Sequence, residues 1–128
     1  MISHRVTVNW VGQGAAAIGA TIEVSADGEK NADVTLTASE VDKQVLLAFK
    51  YTGLKLFFAY ADFNTKLETN QGATPGNTIT LAGGVPYIWS ENTGGANPFT
   101  VDVTKLFFTA LTANATSVKI RLLEDVTP

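Results

Sequence analysis

The chain has no cysteine and a single histidine, His4, in 128 residues. Without cysteine, neither a disulfide framework nor a thiolate metal site can form. The redox compartment is left open by that absence. One histidine makes no cluster, so any His-based triad or metal site needs partners of other types. Charge is scarce too: 16% of residues are Asp, Glu, Lys or Arg, against about 25% in an ordinary soluble domain. A surface so poor in charge suits a protein that lies against others. A small β domain with a Thr-rich solvent face has the same composition. The net charge is −3 and there is no basic stripe, which argues against a nucleic-acid partner. No apolar run approaches a membrane span, so no membrane partner is expected. Met1-Ile2-Ser3-His4-Arg5 lacks the charged start and apolar core of a signal peptide, and the expectation is synthesis and folding in a cytoplasm.

What is present is apolar alternation. Hydrophobic residues make up 45% of the chain, enough for one real core at this length. Val6, Val8 and Trp10 alternate with Arg5, Thr7 and Asn9, and Ile18 to Val24 repeats the pattern. Period two with β-branched and aromatic residues reads as strands with one buried face. A polar turn is expected from Asp27-Gly28 to Asn31, then a third strand on Val34 and Leu36. In Ser39 to Tyr51 a helix competes, with Ser39 and Asp42 as a possible capping box. The surrounding β pattern favours a turn followed by a strand. Further strands are expected around Leu54–Ala61, Thr65–Thr69, Thr78–Ala82, Pro86–Glu91, Phe99–Val103, Leu106–Leu111 and Val118–Leu123. Gly- and Asn-rich breaks separate them, including a loop of about eight residues from Asn70 to Asn77. Nine or ten short strands with no convincing helix predict a single domain over residues 1–128. Its fold class is an all-β antiparallel sandwich, jelly-roll-like ahead of immunoglobulin-like.

Lys55-Leu56-Phe57-Phe58 recurs as Lys105-Leu106-Phe107-Phe108. Each copy opens an alternating run, followed by a bend and a second run. The pair reads as two β-hairpins in equivalent places. Neighbours on a strand point to opposite faces. If Leu56, Phe58, Leu106 and Phe108 are core, Phe57 and Phe107 point out. An exposed Phe in a β run invites association, so Phe57 and Phe107 are the candidate subunit interface. A loop of the same chain is the competing cover.

No stretch carries a convincing reaction chemistry. Gly12-x-Gly14-x-x-Ala17 looks like a dinucleotide fingerprint, but an alternating run follows it in place of a helix. Asp27-Gly28-Glu29-Lys30-Asn31 with Asp33 lacks the spacing of a calcium loop and reads as a solvated turn. No serine sits in a Gly-x-Ser-x-Gly elbow. The carboxylates are scattered beside turns. The sequence therefore suggests no catalytic, metal or cofactor site. Trp10 is read as core. Trp89, between two Gly-rich loops, is the more open aromatic. Trp89 and Pro98 are the candidate ligand or partner contacts.

A wider pattern joins these pieces. It begins with an alternating strand ending in Trp10, followed by Lys66-Leu67-Glu68-Thr69-Asn70. Next come Leu81-Ala82-Gly83-Gly84-Val85-Pro86 with Trp89, then Asn97-Pro98 and Leu106-Phe107-Phe108. A last strand ends in Leu123-x-Asp125-x-x-Pro128. Over nearly its whole length the chain resembles small structural proteins encoded among the capsid genes of tailed bacteriophages. Some of these are head decoration, or cement, proteins. The resemblance implies a non-enzymatic virion protein, jelly-roll-like and trimeric, that clamps the major capsid protein from outside. A carbohydrate- or receptor-binding module of a tail or baseplate, using Trp89, is the alternative.

Overall fold

A computed structural model describes residues 2–10, 18–72, 74–93 and 95–126. It is an all-β sandwich. Its strands are β1 (Ile2–Trp10), β2 (Ile18–Ala26), β3 (Gly28–Leu36), β4 (Lys43–Val45), β5 (Leu54–Ala61), β6 (Thr65–Thr69), β7 (Thr78–Leu81), β8 (Tyr87–Ser90), β9 (Leu106–Ala110) and β10 (Thr116–Glu124). Single 3₁₀ turns lie at Tyr51–Gly53 and Glu91–Thr93.

Two four-stranded sheets face each other, ordered β3-β10-β5-β8 and β4-β9-β6-β7. Every paired strand is antiparallel. The first four of these eight strands pair with the last four in reverse: β3 with β10, β4 with β9, β5 with β8, β6 with β7. That is one long hairpin, its tip at residues 70–77, wound up so that β10 meets β5 and β9 meets β6. This connectivity is the jelly roll. The core lies between the sheets. Phe57, Leu67, Phe108, Val118 and Ile120 are at most 1% exposed within it. Phe99 packs edge-on against both Phe49 and Phe57, with ring centroids 5.0 Å apart in each pair.

A third layer is the β1–β2 ribbon. It packs Ile2, Val6, Ile22, Val24 and Ala26 against Leu56, Leu123 and Ile88 on the outer face of the β3-β10-β5-β8 sheet. His4 contacts Glu29 on β3. At the far side, Asn92, after β8, donates to the Glu23 carbonyl. The ribbon thus crosses the sheet from one edge strand to the other. Its corner is a single residue: Asp27 Oδ1 accepts from Val126 N at 2.7 Å, and Asp27 N donates to Asp125 at 3.2 Å.

Four sequence expectations are corrected. First, the repeated units are not hairpins. β5 and β6 lie in different sheets, as do β9 and β10, so each bend carries the chain across the sandwich as an arch. Second, Phe57 is not on an outer face; it is 0% exposed in the core. The reason is a β-bulge. The β5–β10 register steps from Leu56↔Leu123 to Leu54↔Glu124, leaving Lys55 without a partner. The extra residue shifts the alternation by one position, so Leu54 and Phe57 both turn inward. Leu56 turns outward, beneath the ribbon. Third, Phe99–Val103 forms no strand. Its one ladder contact is the Phe49–Val103 bridge, two hydrogen bonds of 2.9 Å each. Fourth, the turn expected over 27–31 shrinks to Asp27, and Gly28 already belongs to β3. The segment 39–51 contains a turn, the short β4 and the first residue of the 3₁₀ turn, with no α-helix. The Gly12–Ala17 motif and the Trp10 side chain lie outside what the structure describes.

Candidate functional surfaces

Phe107 sits on β9 in register with Gln44 on β4 and Glu68 on β6. Leu106 and Phe108 are 0% exposed, so strand alternation turns Phe107 to the outer face of its sheet. It is nevertheless half-buried. The connection after β6 is fastened close by. Asn70, in the left-handed region at φ 70°, anchors the start: its N–H donates to Lys105 O, and its side chain bridges Asp102 and Thr104. Two residues on, Gly72 lies against the Asp42 carboxyl, where a Cβ would come within 2.7 Å. Asp42 is itself bonded to Thr109. Asn70 and Gly72 are thus fastened near the two ends of β9, at Lys105 and, through Asp42, at Thr109, before Gly76 N returns to Thr69 O. Glu68, beside Phe107, is 4% exposed, and the Lys66 ammonium lies 3.1 Å from its Oε1.

Trp89 is half-buried on β8 and packs against the core with Tyr87. Its indole N–H donates to Gly95 O at 3.0 Å. Tyr87 meets Phe57 edge-on at 6.2 Å, and burial raises its pKa above 10.0. The two rings look into the sandwich, so Trp89 is less open than its place between Gly-rich loops suggests. Pro98 is half-buried in a fastened loop: Asn97 donates to Tyr51 O and accepts from Phe99 N, both at 2.9 Å.

A cleft of about 730 Å³ opens where the start of β3, the start of β5 and the end of β10 meet residues 48–53 and 102–104. Glu124 forms part of its lining and is 3% exposed. The Lys30 ammonium lies 2.7 Å from Glu124 Oε1. Lys30 also donates to Ala48 O. Lys55 lies 2.9 Å from Glu91 and 3.6 Å from Asp125. Its hydrogen bond to Glu91 holds its pKa above 10.5. Two cleft lysines are thus engaged with the chain's own carboxylates.

Asp102, Glu124 and Asp125 line the cleft, and other carboxylates pair with single cations. Glu29 pairs with His4 and Asp33 with Arg121, and both carboxyls titrate below their ordinary range because of those hydrogen bonds. Among the described residues no group of three or more His, Asp or Glu side chains is placed to hold a metal. Nor is any helix among them long and apolar enough to cross a membrane.

Sequence reasoning missed one surface. The connections 37–42, 62–64, 82–86 and 111–115 meet at one end of the sandwich. They expose Val41 at 68%, Phe63 at 38%, Val85 at 55% and Leu111 at 50%. In the sequence Phe63 and Val85 sit in breaks, Val41 in the ambiguous 39–51 segment and Leu111 at the end of an expected strand, and each looks incidental; only the topology gathers them. No protein-family model, curated protein or solved structure matches the chain.

Proposed function

We propose that the protein is a non-enzymatic structural component of a tailed-phage virion, a head decoration protein that binds the outer capsid surface. It acts without a cofactor. It is made in the host cytoplasm, assembles as a homotrimer and strengthens contacts between major capsid protein subunits. The observation that carries this reading is large aliphatic side chains in solvent on a rigid β frame, Val41, Val85 and Leu111 each half exposed or more. Such side chains gain stability when a partner covers them, about 25 cal/mol per Å² of apolar surface removed from water. The low charge of the whole chain lowers the desolvation cost of lying against another protein. The whole-chain resemblance to small capsid-gene proteins points the same way. Phe107 retains a half-exposed edge as a second contact. The glycan-binding alternative is weaker, because Trp89 uses its polar N–H and its packing surface inside the chain.

Two measurements test the reading. Light scattering should give the mass of a trimer, and the protein should co-sediment with undecorated capsids of the phage that encodes it. A monomer that ignores capsids and binds glycans in a way that Trp89→Ala abolishes would sink it.

A further inference from the structure

We infer that the protein attaches end-on, through the loop end that carries Val41, Phe63, Val85 and Leu111, to an apolar seat rimmed by lysine or arginine on the capsid protein. The inference rests on the function proposed above and names the surface that performs it.

The first support is rigidity. The four connections are stitched to one another and to their strand ends. Ser39 N donates to Thr112 O at 3.3 Å, and Ala110 N to Glu40 O at 2.8 Å. Leu111 N donates to Asn64 O at 3.0 Å, and Asn64 Oδ1 accepts from Gly83 N at 2.7 Å. Asp62 exchanges bonds with Ser117, N to O at 3.2 Å and Oδ1 from N at 2.8 Å. Gly83 lies against the Phe63 backbone, where a Cβ would come within 2.8 Å. Apolar groups on a preorganised surface lose little conformational entropy when covered.

The second support is charge. The segments 37–42, 62–64, 82–86 and 111–115 contain Glu40, Asp42 and Asp62 and no lysine, arginine or histidine. Hydrogen bonds from the Thr37 backbone and hydroxyl hold the Glu40 carboxyl below its ordinary range, so it is ionised at neutral pH. The bordering cation, Lys43, donates to Thr35 O at 2.8 Å and lies 4.0 Å from Glu40 Oε2, leaving Asp42 and Asp62 without a cation among these segments. The opposite end differs: segments 46–53, 70–77 and 91–105 carry Lys50 and Lys105 against Glu91 and Asp102. The loop end is therefore an apolar patch whose rim is net acidic, with Lys43 its one bordering cation among the described residues, and the complementary surface is apolar with a basic rim. Complementary rims of this kind steer encounter and fix orientation.

The test is co-sedimentation with undecorated capsids of the same phage, comparing wild type, Val85→Asp/Leu111→Asp and Leu46→Asp. Leu46 is 79% exposed but lies after β4, away from the loop end. All three sites are at least half exposed, so the variants should unfold with the wild-type midpoint. Attachment should weaken at least tenfold in the double variant and stay unchanged in Leu46→Asp. It should also fall several-fold for wild type between 50 and 300 mM salt, on the order expected for exposed charges. If wild type attaches and the double variant attaches equally well, the end-on inference is overturned and the decoration reading stands. If wild type itself ignores capsids, both fall. If light scattering shows that the double variant splits a wild-type oligomer yet still attaches, this end is a contact between copies, and the inference is again overturned.

Discussion

Lys55-Leu56-Phe57-Phe58 and Lys105-Leu106-Phe107-Phe108 are the same four residues with opposite orientations. In the first, Phe57 is core and Leu56 faces the ribbon. In the second, Leu106 and Phe108 are core and Phe107 faces out. Both phases are open to such a motif, because it has apolar side chains on both faces. The surroundings decide. The first copy lies on a sheet covered on both sides, by the opposite sheet and by the β1–β2 ribbon, so the outward Leu56 is still 4% exposed. A bulge at Lys55 sets its phase. The second copy lies on a sheet with no further strand layer on its outer face among the described residues, and its outward residue is half-buried. What truly repeats is the arch. Thr65 and Thr116 each open the strand after the bend, each is at most 1% exposed, and each donates its hydroxyl to a carbonyl two residues back, Phe63 O and Asn114 O.

The sharpest way to break the comparison is to truncate the same letter twice. Phe57→Ala leaves a void among Phe99, Tyr87 and Leu122 and should cost about 3–5 kcal/mol. Phe107→Ala removes a half-buried ring from the outer face of its sheet and should cost about 1–2 kcal/mol. Denaturant midpoints at unchanged slope would measure both. Equal costs would mean that Phe107 is covered as thoroughly as the opposite sheet covers Phe57.

Each copy also stands beside one buried glutamate. Glu124 is in register with Leu54, and Glu68 with Phe107. Lys30 and Lys66 approach their Oε1 atoms at 2.7 and 3.1 Å. Removing either lysine strands a buried carboxylate. The full cost in a dry interior is about 3–5 kcal/mol, but both lysines are more than a third exposed. About 1–2 kcal/mol for Lys30→Met is the expectation after solvent screening. Lys66→Met should cost less, because Lys30 also donates to Ala48 O. Thermal unfolding of the two variants side by side orders them, and the reverse order would place the drier carboxylate in the second copy.

These contrasts explain what could be read in advance. Alternation found β1, β2, β6 and β10, because each has one clearly polar face or edge. It also gave the sandwich class, since short strands with turn signals and no helical period leave few other layers. It failed at β5, where a ribbon far away in sequence makes both faces apolar and a one-residue bulge leaves no mark in composition. It failed again at Phe99–Val103, where buried Phe99 and Val103 alternate with exposed Val101 but most of the backbone finds no ladder. The bend at Asp62-Phe63-Asn64 was visible. Whether it returns the chain to its own sheet or carries it across to the opposite one depends on partners that a local reading does not contain.

The smallest expected effect concerns the ribbon that separates the two copies. His4 Nε2 lies 3.1 Å from Glu29 Oε1 across the ribbon–sheet seam. The His4 pKa is raised above 6.5, first by its hydrogen bond to the Ser3 carbonyl and then by Glu29. The Glu29 pKa is lowered from 4.5, first by His4. A raised histidine contributes stability that is complete below about 6.5 and is lost as pH rises through the higher folded value. A lowered carboxylate contributes stability that is complete above about 4.5 and is lost as pH falls through the lower folded value. Both contributions are present together between those limits. His4→Gln should therefore lower Tm slightly relative to wild type between about pH 4.5 and 6.5, and the gap should close as pH rises through the raised His4 value. Because the described ribbon residues pack on Leu56, Leu123 and Ile88, the same change should leave the exchange behaviour around Phe107 untouched. A gap that widened with rising pH would mean that His4 stabilises the seam by packing as a neutral ring, and that the ribbon seals the first copy without electrostatic help.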